Sequence, residues 1–443
     1  LNGDNLKSFE SDDNKARWQF IAGAGDGRAV DIKLTATMPP NENTVALEFT
    51  RSAVPTSIGR NLPSNCKVSL TVRLDIEDRN FHTQTKRSDA AEHHFGAHTA
   101  NRDHGFVFKP APDRILSVET EFGAFHAEPE WSENIPHPVE QTRGQEGAGD
   151  SYSPGWFEIP IAMDQRTAIT VTAEPDTADK VAQNERPAKT QPRESSDAFR
   201  ERLERAVEAF VVRRDDGKTV IAGYPWFLDW GRDTLIAARG LLNAGMRDTV
   251  EEILLTFGRY EENGTLPNTI HGSDVSNRDT SDAPLWYGVI CSGFAHEDPG
   301  IYKRNVGDSK RTIQDVLRSI AVNYAQGTPN GIHMDPQSGL IWSPSHFTWM
   351  DTNHPAGTPR AGYPVEIQAL WILLLQQLHE IGAPPLDKPW MKLAAQAQDS
   401  FDKLFWLEDK GWFADLLIGD AKTPAADCIA DNALRSNCLF AIS

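Results

Sequence analysis

A chain of 443 residues exceeds one ordinary apolar core, so two domains are expected, each able to fold without disulfide staples. A formal net charge of −19 argues against nucleic acid and anionic membranes as partners and favours a neutral or cationic ligand. Cys66, Cys291, Cys428 and Cys438 form no CxxC pair, and neither a run of about 18 apolar residues nor a basic start followed by an apolar stretch occurs, so zinc, disulfide, membrane-span and signal-peptide signatures are all missing and a reducing cytoplasm is the simplest setting.

From about residue 15 to 173 the text reads as strands. "TVALEFTRS", "CKVSLTVRLDIED", "HGFVFKP", "RILSVETEFG", "WFEIPIAM" and "TAITVTAEP" alternate apolar and polar residues between turn-rich spacers, which predicts an antiparallel β domain over 1–173. The stretch 174–196 is charged, proline-bearing and free of aromatics, and is expected to be a linker. Beyond it, over 197–443, the period becomes helical. Phe199, Leu203, Ala206, Val207, Phe210 and Val211 share one face after the candidate caps Ser195, Ser196 and Asp197. Ile367 to Ile381 and Trp390 to Phe405 repeat the pattern, and further helices are expected at 232–244, 246–258, 283–297, 312–325 and after 429. Roughly eight helices in regular hairpins suggest a toroid of paired helices.

Four segments at successive helix starts combine charge with aromatic rings. "YPWFLDWGRDT" holds Trp226, Asp229, Trp230, Arg232 and Asp233. "NRDTSDAPLWYG" holds Arg278, Asp279, Asp282, Trp286 and Tyr287, "SHFTWMDTNH" places Trp349 two residues before Asp351, and "TPRAGYPVEIQALW" carries Arg360 and Glu366. Each alone is readable as a helix cap with an ion pair. Together they suit a ligand with apolar faces and a rim of hydroxyls, since flat rings stack on C–H faces and a guanidinium fork grips vicinal oxygens. Sugars have that anatomy, and a pair of carboxylates at a mouth is what glycoside hydrolysis requires. The histidines of "EHHFGAH" (His93, His94, His98), with His82 and His104 nearby, have no fixed ligand spacing and are read as a solvated loop, so no metal site is expected. No phosphate-binding GxxxxGK[ST] loop occurs.

The segments "AGYPWFLDWGRDTLIAARGLL", "NRDTSDAPLWY", "TWMD" and "TPRAGYPVEIQALW", in that order, resemble the bacterial and archaeal type of glycogen debranching enzyme, an amylo-α-1,6-glucosidase. "VEQTRGQEGAGDSYSPGWFEIPI" is similar to the end of that family's N-terminal sandwich. The resemblance implies a supersandwich-like β domain followed by an (α/α)6 barrel that removes α-1,6-linked glucose from trimmed glycogen-like branches by inversion, with no cofactor and an α-glucan as partner. It makes Asp351 the general acid, with Asp282 as the other candidate. Arg232 and Asp233 become the grip on the terminal glucose, Asp282 and Glu366 further contacts, and Trp226, Trp230, Trp286 and Trp349 stacking walls. The family's general base lies in a segment with no counterpart before Ser443, and the chain opens on Leu1 rather than methionine. It is therefore expected to be an inactive fragment with an incomplete barrel. Two rival readings stay open: a glucoamylase-like or trehalase-like specificity, and a glycan-binding protein without chemistry.

Overall fold

The computed structural model describes residues 3–12, 14–39, 42–54, 60–79, 83–112, 114–173, 196–224, 227–272, 274–308, 310–352 and 358–441. The expected linker at 174–196 therefore falls almost wholly outside the described residues, as do His82 and Trp226. The chain divides into two compact units, Leu1–Thr190 and Gln191–Ser443, and each is described by itself.

The first unit is built on antiparallel strands. Its large sheet runs in the order Leu6–Asp12, Lys15–Gly23, Arg28–Thr37, Thr44–Ser52, Arg166–Thr172, Arg114–Thr120, Gly105–Ala111, Thr99–Arg102, and the short strand Arg60–Asn61 pairs in parallel with Arg28–Thr37. A three-stranded sheet joins Ala124–His126, Trp156–Pro160 and Ser69–Arg73. The period of two is visible in Trp156–Pro160, where Phe157 and Ile159 are fully buried while Glu158 and Pro160 face solvent. These two side chains meet Ile32, Phe49, Phe106, Phe108, Val118 and Ile169 of the large sheet in one apolar core.

The histidine-bearing stretch expected as a loop is instead the helix α1 (Asp89–Ala97). Ser88 caps it by accepting from the Ala91 amide, and Phe95 anchors it, stacking on Phe108 at 5.1 Å. One buried ring per two turns is too sparse to register as a helical period in sequence. A second short helix, α2 (Pro138–Thr142), was likewise not foreseen.

The second unit carries seven α-helices among its described residues: α3 (Ser196–Phe210), α4 (Gly231–Asn243), α5 (Arg247–Tyr260), α6 (Ala283–Ala295), α7 (Ile313–Gln326), α8 (Val365–Glu380) and α9 (Trp390–Phe405). Helix α6 is apolar nearly all round because α4 and α8 both pack on it, and Leu285, Tyr287, Ile290, Cys291 and Phe294 fill the space between them. Helix α3 behaves differently: the face formed by Phe199, Leu203, Val207 and Phe210 stays exposed.

The helix expected after 429 does not form. The strand Ile429–Asp431 adds to Leu416–Ile418, which pairs with Gly362–Pro364, and a 3-10 turn follows at Ser436–Ala441. The polar side chains of this stretch turn inward: Arg435 reaches Asp415 and Asp431, both at 2.8 Å, and Asn437 reaches Asp415 at 2.7 Å. Such tertiary partners outweigh weak local helix propensity. No helix among the described residues is long and apolar enough to cross a membrane.

Candidate active site

The entrance to α4 is fixed by backbone before any charged side chain takes part. Asp229–Trp230 pairs with Thr269–Ile270, and the Gly231 amide donates to the Asn268 carbonyl at 3.0 Å. A Cβ on Gly231 would stand 2.3 Å from the Pro267 carbonyl oxygen, so only glycine permits this approach. Asp229, expected to touch a ligand, is instead fully buried with both oxygens held by the Arg214 fork, at 2.9 Å from Nε and 2.6 Å from Nη2. It anchors the segment. Arg214 is a functional partner that sequence reasoning missed, because it lies on the hairpin before the motif.

Arg232, the second residue of α4, points inward and collects groups from two distant loops. Its Nε donates to Asp282 Oδ2 at 2.6 Å and its Nη1 to Asp351 Oδ2 at 2.8 Å. Thr280 Oγ1 lies 3.5 Å from Nη2 and itself donates to Asp282 Oδ1 at 2.9 Å. The two loops are also tied to each other: the Ser281 amide donates to the Phe347 carbonyl at 2.8 Å, the Ser281 and Ser343 hydroxyls meet at 2.5 Å, and Tyr324 donates to the Ser281 carbonyl. This brings together three residues that the sequence put on separate helix starts.

Burial works against the Arg232 charge, but the Asp282 and Asp351 carboxylates outweigh it and hold the guanidinium pKa above its ordinary value. The pairs differ in exposure. The Asp282 side chain is almost fully enclosed, whereas that of Asp351 keeps 30 % of its surface open. Asp233 stands at the exposed side of the same cluster. Desolvation by the surrounding atoms pushes its carboxyl pKa up, Arg232 opposes the shift, and Asp351 and Asp282 reinforce it.

Behind Asp351 lies a second charged centre. Arg360 forks onto Glu366, with Nη2 to Oε2 at 2.8 Å and Nη1 to Oε1, and its Nε donates to Asp415 Oδ2 at 3.1 Å. Its Nη1 also donates to Thr348 Oγ1 at 3.1 Å, three residues before Asp351. Arg360 holds a left-handed backbone, φ 54°, a strained conformation that the surrounding contacts enforce. Glu366, expected as a sugar contact, is only 2 % exposed with both oxygens taken by Arg360. Burial pushes the Glu366 carboxyl up while Arg360 pulls it down. Burial likewise weakens the Arg360 charge, but Glu366 and Asp415 outweigh it and raise the guanidinium pKa.

The tryptophans divide. Trp349 is 49 % exposed, and its Nε1 donates to Asn437 Oδ1 at 2.8 Å. Trp230 is half-buried at the cap position of α4. Trp286, expected as a wall of the site, is a core residue, edge-on to Phe440 and beneath Arg239. Its place on the apolar helix α6 leaves it no open face. Among the described residues no group of three or more His, Cys, Asp or Glu side chains is arranged to hold a metal ion.

The assembled centre therefore has one buried guanidinium, an enclosed carboxylate, a partly open carboxylate, an exposed carboxylate with a raised pKa, and a tryptophan half open to solvent. Such a set can grip hydroxyls, exchange a proton and stack on a sugar face.

Comparison with known proteins agrees with this chemistry. The amylo-α-1,6-glucosidase family model matches residues 205–443, and that of the glycogen debranching enzyme N terminus matches residues 3–168. No curated protein sequence matches the chain. Among solved structures, a rhamnosidase from Klebsiella oxytoca with rhamnose bound is similar at 10 % identity and a TM-score of 0.38, covering 79 % of this chain and 73 % of that one, too low a score to carry an argument. Since the first family model spans more than half of its length and the second most of the rest, the chain belongs to the amylo-α-1,6-glucosidase family of glycosidases, with a glycogen-debranching N-terminal region ahead of it.

Proposed function

We propose that the chain acts on the α-1,6-linked glucose left on trimmed branches of a glycogen-like α-glucan, hydrolysing it with inversion, and that its helical unit, which follows a supersandwich-like β domain in the sequence, is part of an (α/α)6 barrel. What supports this reading, beyond the family, is the single guanidinium of Arg232 joining Asp282 to Asp351 with the open face of Trp349 two residues away.

In this reading Arg232 and Asp233 hold the hydroxyls of the terminal glucose, Trp349 stacks on a sugar face, and Asp351 gives a proton to the leaving glycosidic oxygen. The enclosed Asp282 keeps Arg232 oriented, Asp229 anchors the segment that enters α4, and Glu366 holds Arg360, which reaches the Asp351 loop through Thr348. A glucose hydroxyl that takes over the Nη1 bond frees the Asp351 carboxyl to turn toward the glycosidic oxygen.

The test is glucose release from limit dextrin and from maltose, with the anomer of the first product read by proton NMR. In a form of the protein that carries the general base, preference for limit dextrin and release of β-glucose are expected. Preference for maltose would replace the linkage assignment, and binding of a non-hydrolysable thio-linked isomaltose without release from either substrate would favour a glycan-binding role.

A further inference from the structure

Trp349 is the one aromatic ring of the "TWMD" segment, and half of its surface is open to solvent. An exposed indole on a loop has ordinarily several rotamers, and a stacking platform has to hold one of them. Its side-chain anchor among the described residues lies 88 positions away: Nε1 donates to Asn437 Oδ1 at 2.8 Å.

Asn437 is itself immobilised. It is 1 % exposed, its Nδ2 donates to Asp415 Oδ1 at 2.7 Å, and the same nitrogen lies 3.5 Å from the Met350 sulfur. Donating through the amide nitrogen to a carboxylate leaves only Oδ1 to accept, which fixes which end of the amide faces the indole. Asp415 is fully buried, and its other oxygen, Oδ2, accepts from both Arg360 and Arg435, at 3.1 and 2.8 Å. Arg360 in turn donates to Thr348. Thr348, Trp349 and Met350, the three residues leading into Asp351, are thus all tied to one buried polar network.

From this geometry we infer that Asn437 is a positioning residue for the site: it locks the plane of Trp349 so that the exposed indole face is presented as a platform for a sugar ring beside Asp351. This rests on the sugar-site reading above. The network itself carries structural load, and the inference concerns only the bond from Asn437 to Trp349.

A double-mutant cycle separates the two roles, with calorimetric affinity for thio-linked isomaltose as the readout and melting temperature alongside. Trp349→Phe keeps an aromatic face but deletes the donor. It should bind about fivefold more weakly, the worth of one ordinary net hydrogen bond, with little change in melting temperature because the ring is exposed. Asn437→Ala should weaken binding by a similar factor in the wild-type background and have little further effect on the Trp349→Phe background. Additive losses in the two backgrounds would overturn the inference and leave Asn437 a structural residue only. If Asn437→Ala fails to fold, Trp349→Phe decides alone, and unchanged affinity there overturns the inference. Arg232→Lys serves as the control for the site: failure of the wild-type chain to bind the probe, or wild-type affinity in Arg232→Lys, overturns the sugar-site reading and the inference with it.

Discussion

The Arg232 guanidinium stands 2.8 Å from a carboxylate oxygen of Asp351, a residue 119 positions further along the chain, while its Nε holds Asp282 at 2.6 Å. Two carboxylates of different exposure share one cation, and the consequences differ for each partner.

Replacing the cation should damage recognition and, because it leaves the enclosed Asp282 unpaired, lower stability as well. Arg232→Lys keeps the charge but loses the planar fork that spans Asp282 and Asp351, so it is expected to fail nearly as badly as Arg232→Ala. Both should lose roughly 2–4 kcal/mol in kcat/KM on limit dextrin, or equivalently in affinity for a glucose-configured probe. Circular dichroism should show the fold retained. A lowered melting temperature with unchanged kinetics per folded molecule would make Arg232 a brace and nothing more.

Asp351→Asn tests the proton donor. In a form of the protein that carries the general base, glucose release from limit dextrin should drop about 10²-fold or more, while a glucosyl fluoride, whose leaving group needs no proton, should be turned over almost normally. Equal losses on both substrates would transfer the donor role, with Asp282 the next candidate.

Asp233 gives a prediction whose sign is fixed by linkage. Its carboxyl pKa is raised in the folded chain, chiefly by desolvation, so the folded state binds the proton more tightly than the unfolded state does. The ionised side chain therefore costs stability, a cost that is zero below the ordinary Asp range and sets in as pH rises through it toward the folded value. Asp233→Asn should raise the melting temperature at neutral pH, and the gain should fade as pH falls below about 4. Probe affinity should fall in the same variant at neutral pH. A melting temperature that drops at neutral pH would contradict the assignment.

Glu366 should show the opposite balance. Glu366→Ala leaves the buried Arg360 with Asp415 but without its forked partner, and breaking a buried pair in this way typically costs about 3–5 kcal/mol. Urea unfolding should register that loss. Were Glu366 a sugar contact instead, the stability change would be small and the loss would appear in KM.

How much of this was legible beforehand follows from the range of the forces involved. Period two in "WFEIPIAM" and the apolar spacing of α8 and α9 report nearest neighbours along the chain, and those elements form where their patterns place them. The helix-start motifs also report something local, since a charged residue at the first turn of a helix is fixed in position by the turn itself. Arg232 and Asp282 were therefore nameable from sequence as candidates; Asp351, expected at a helix start, lies in a loop well before α8 and was legible only through the tryptophan two residues ahead of it. Which of the charged residues would be free was not. Asp229 and Asp233 are four residues apart in one motif, yet one is sealed by Arg214 and the other is exposed, because only packing decides which face of the segment meets the hairpin before it. Glu366 sits at a helix start like Arg232, but Arg360, forced into a left-handed turn, reaches it first. Trp286 and Trp349 are equally aromatic in sequence, and one lies within the core of α6 while the other is exposed. The polar run after residue 429 folds inward on Asp415 instead of coiling into a helix. Local pattern determined the elements and the inventory of the site; burial and ion pairing between residues far apart in the chain, which have no short-range signature, decided which members of that inventory face one another and which face solvent.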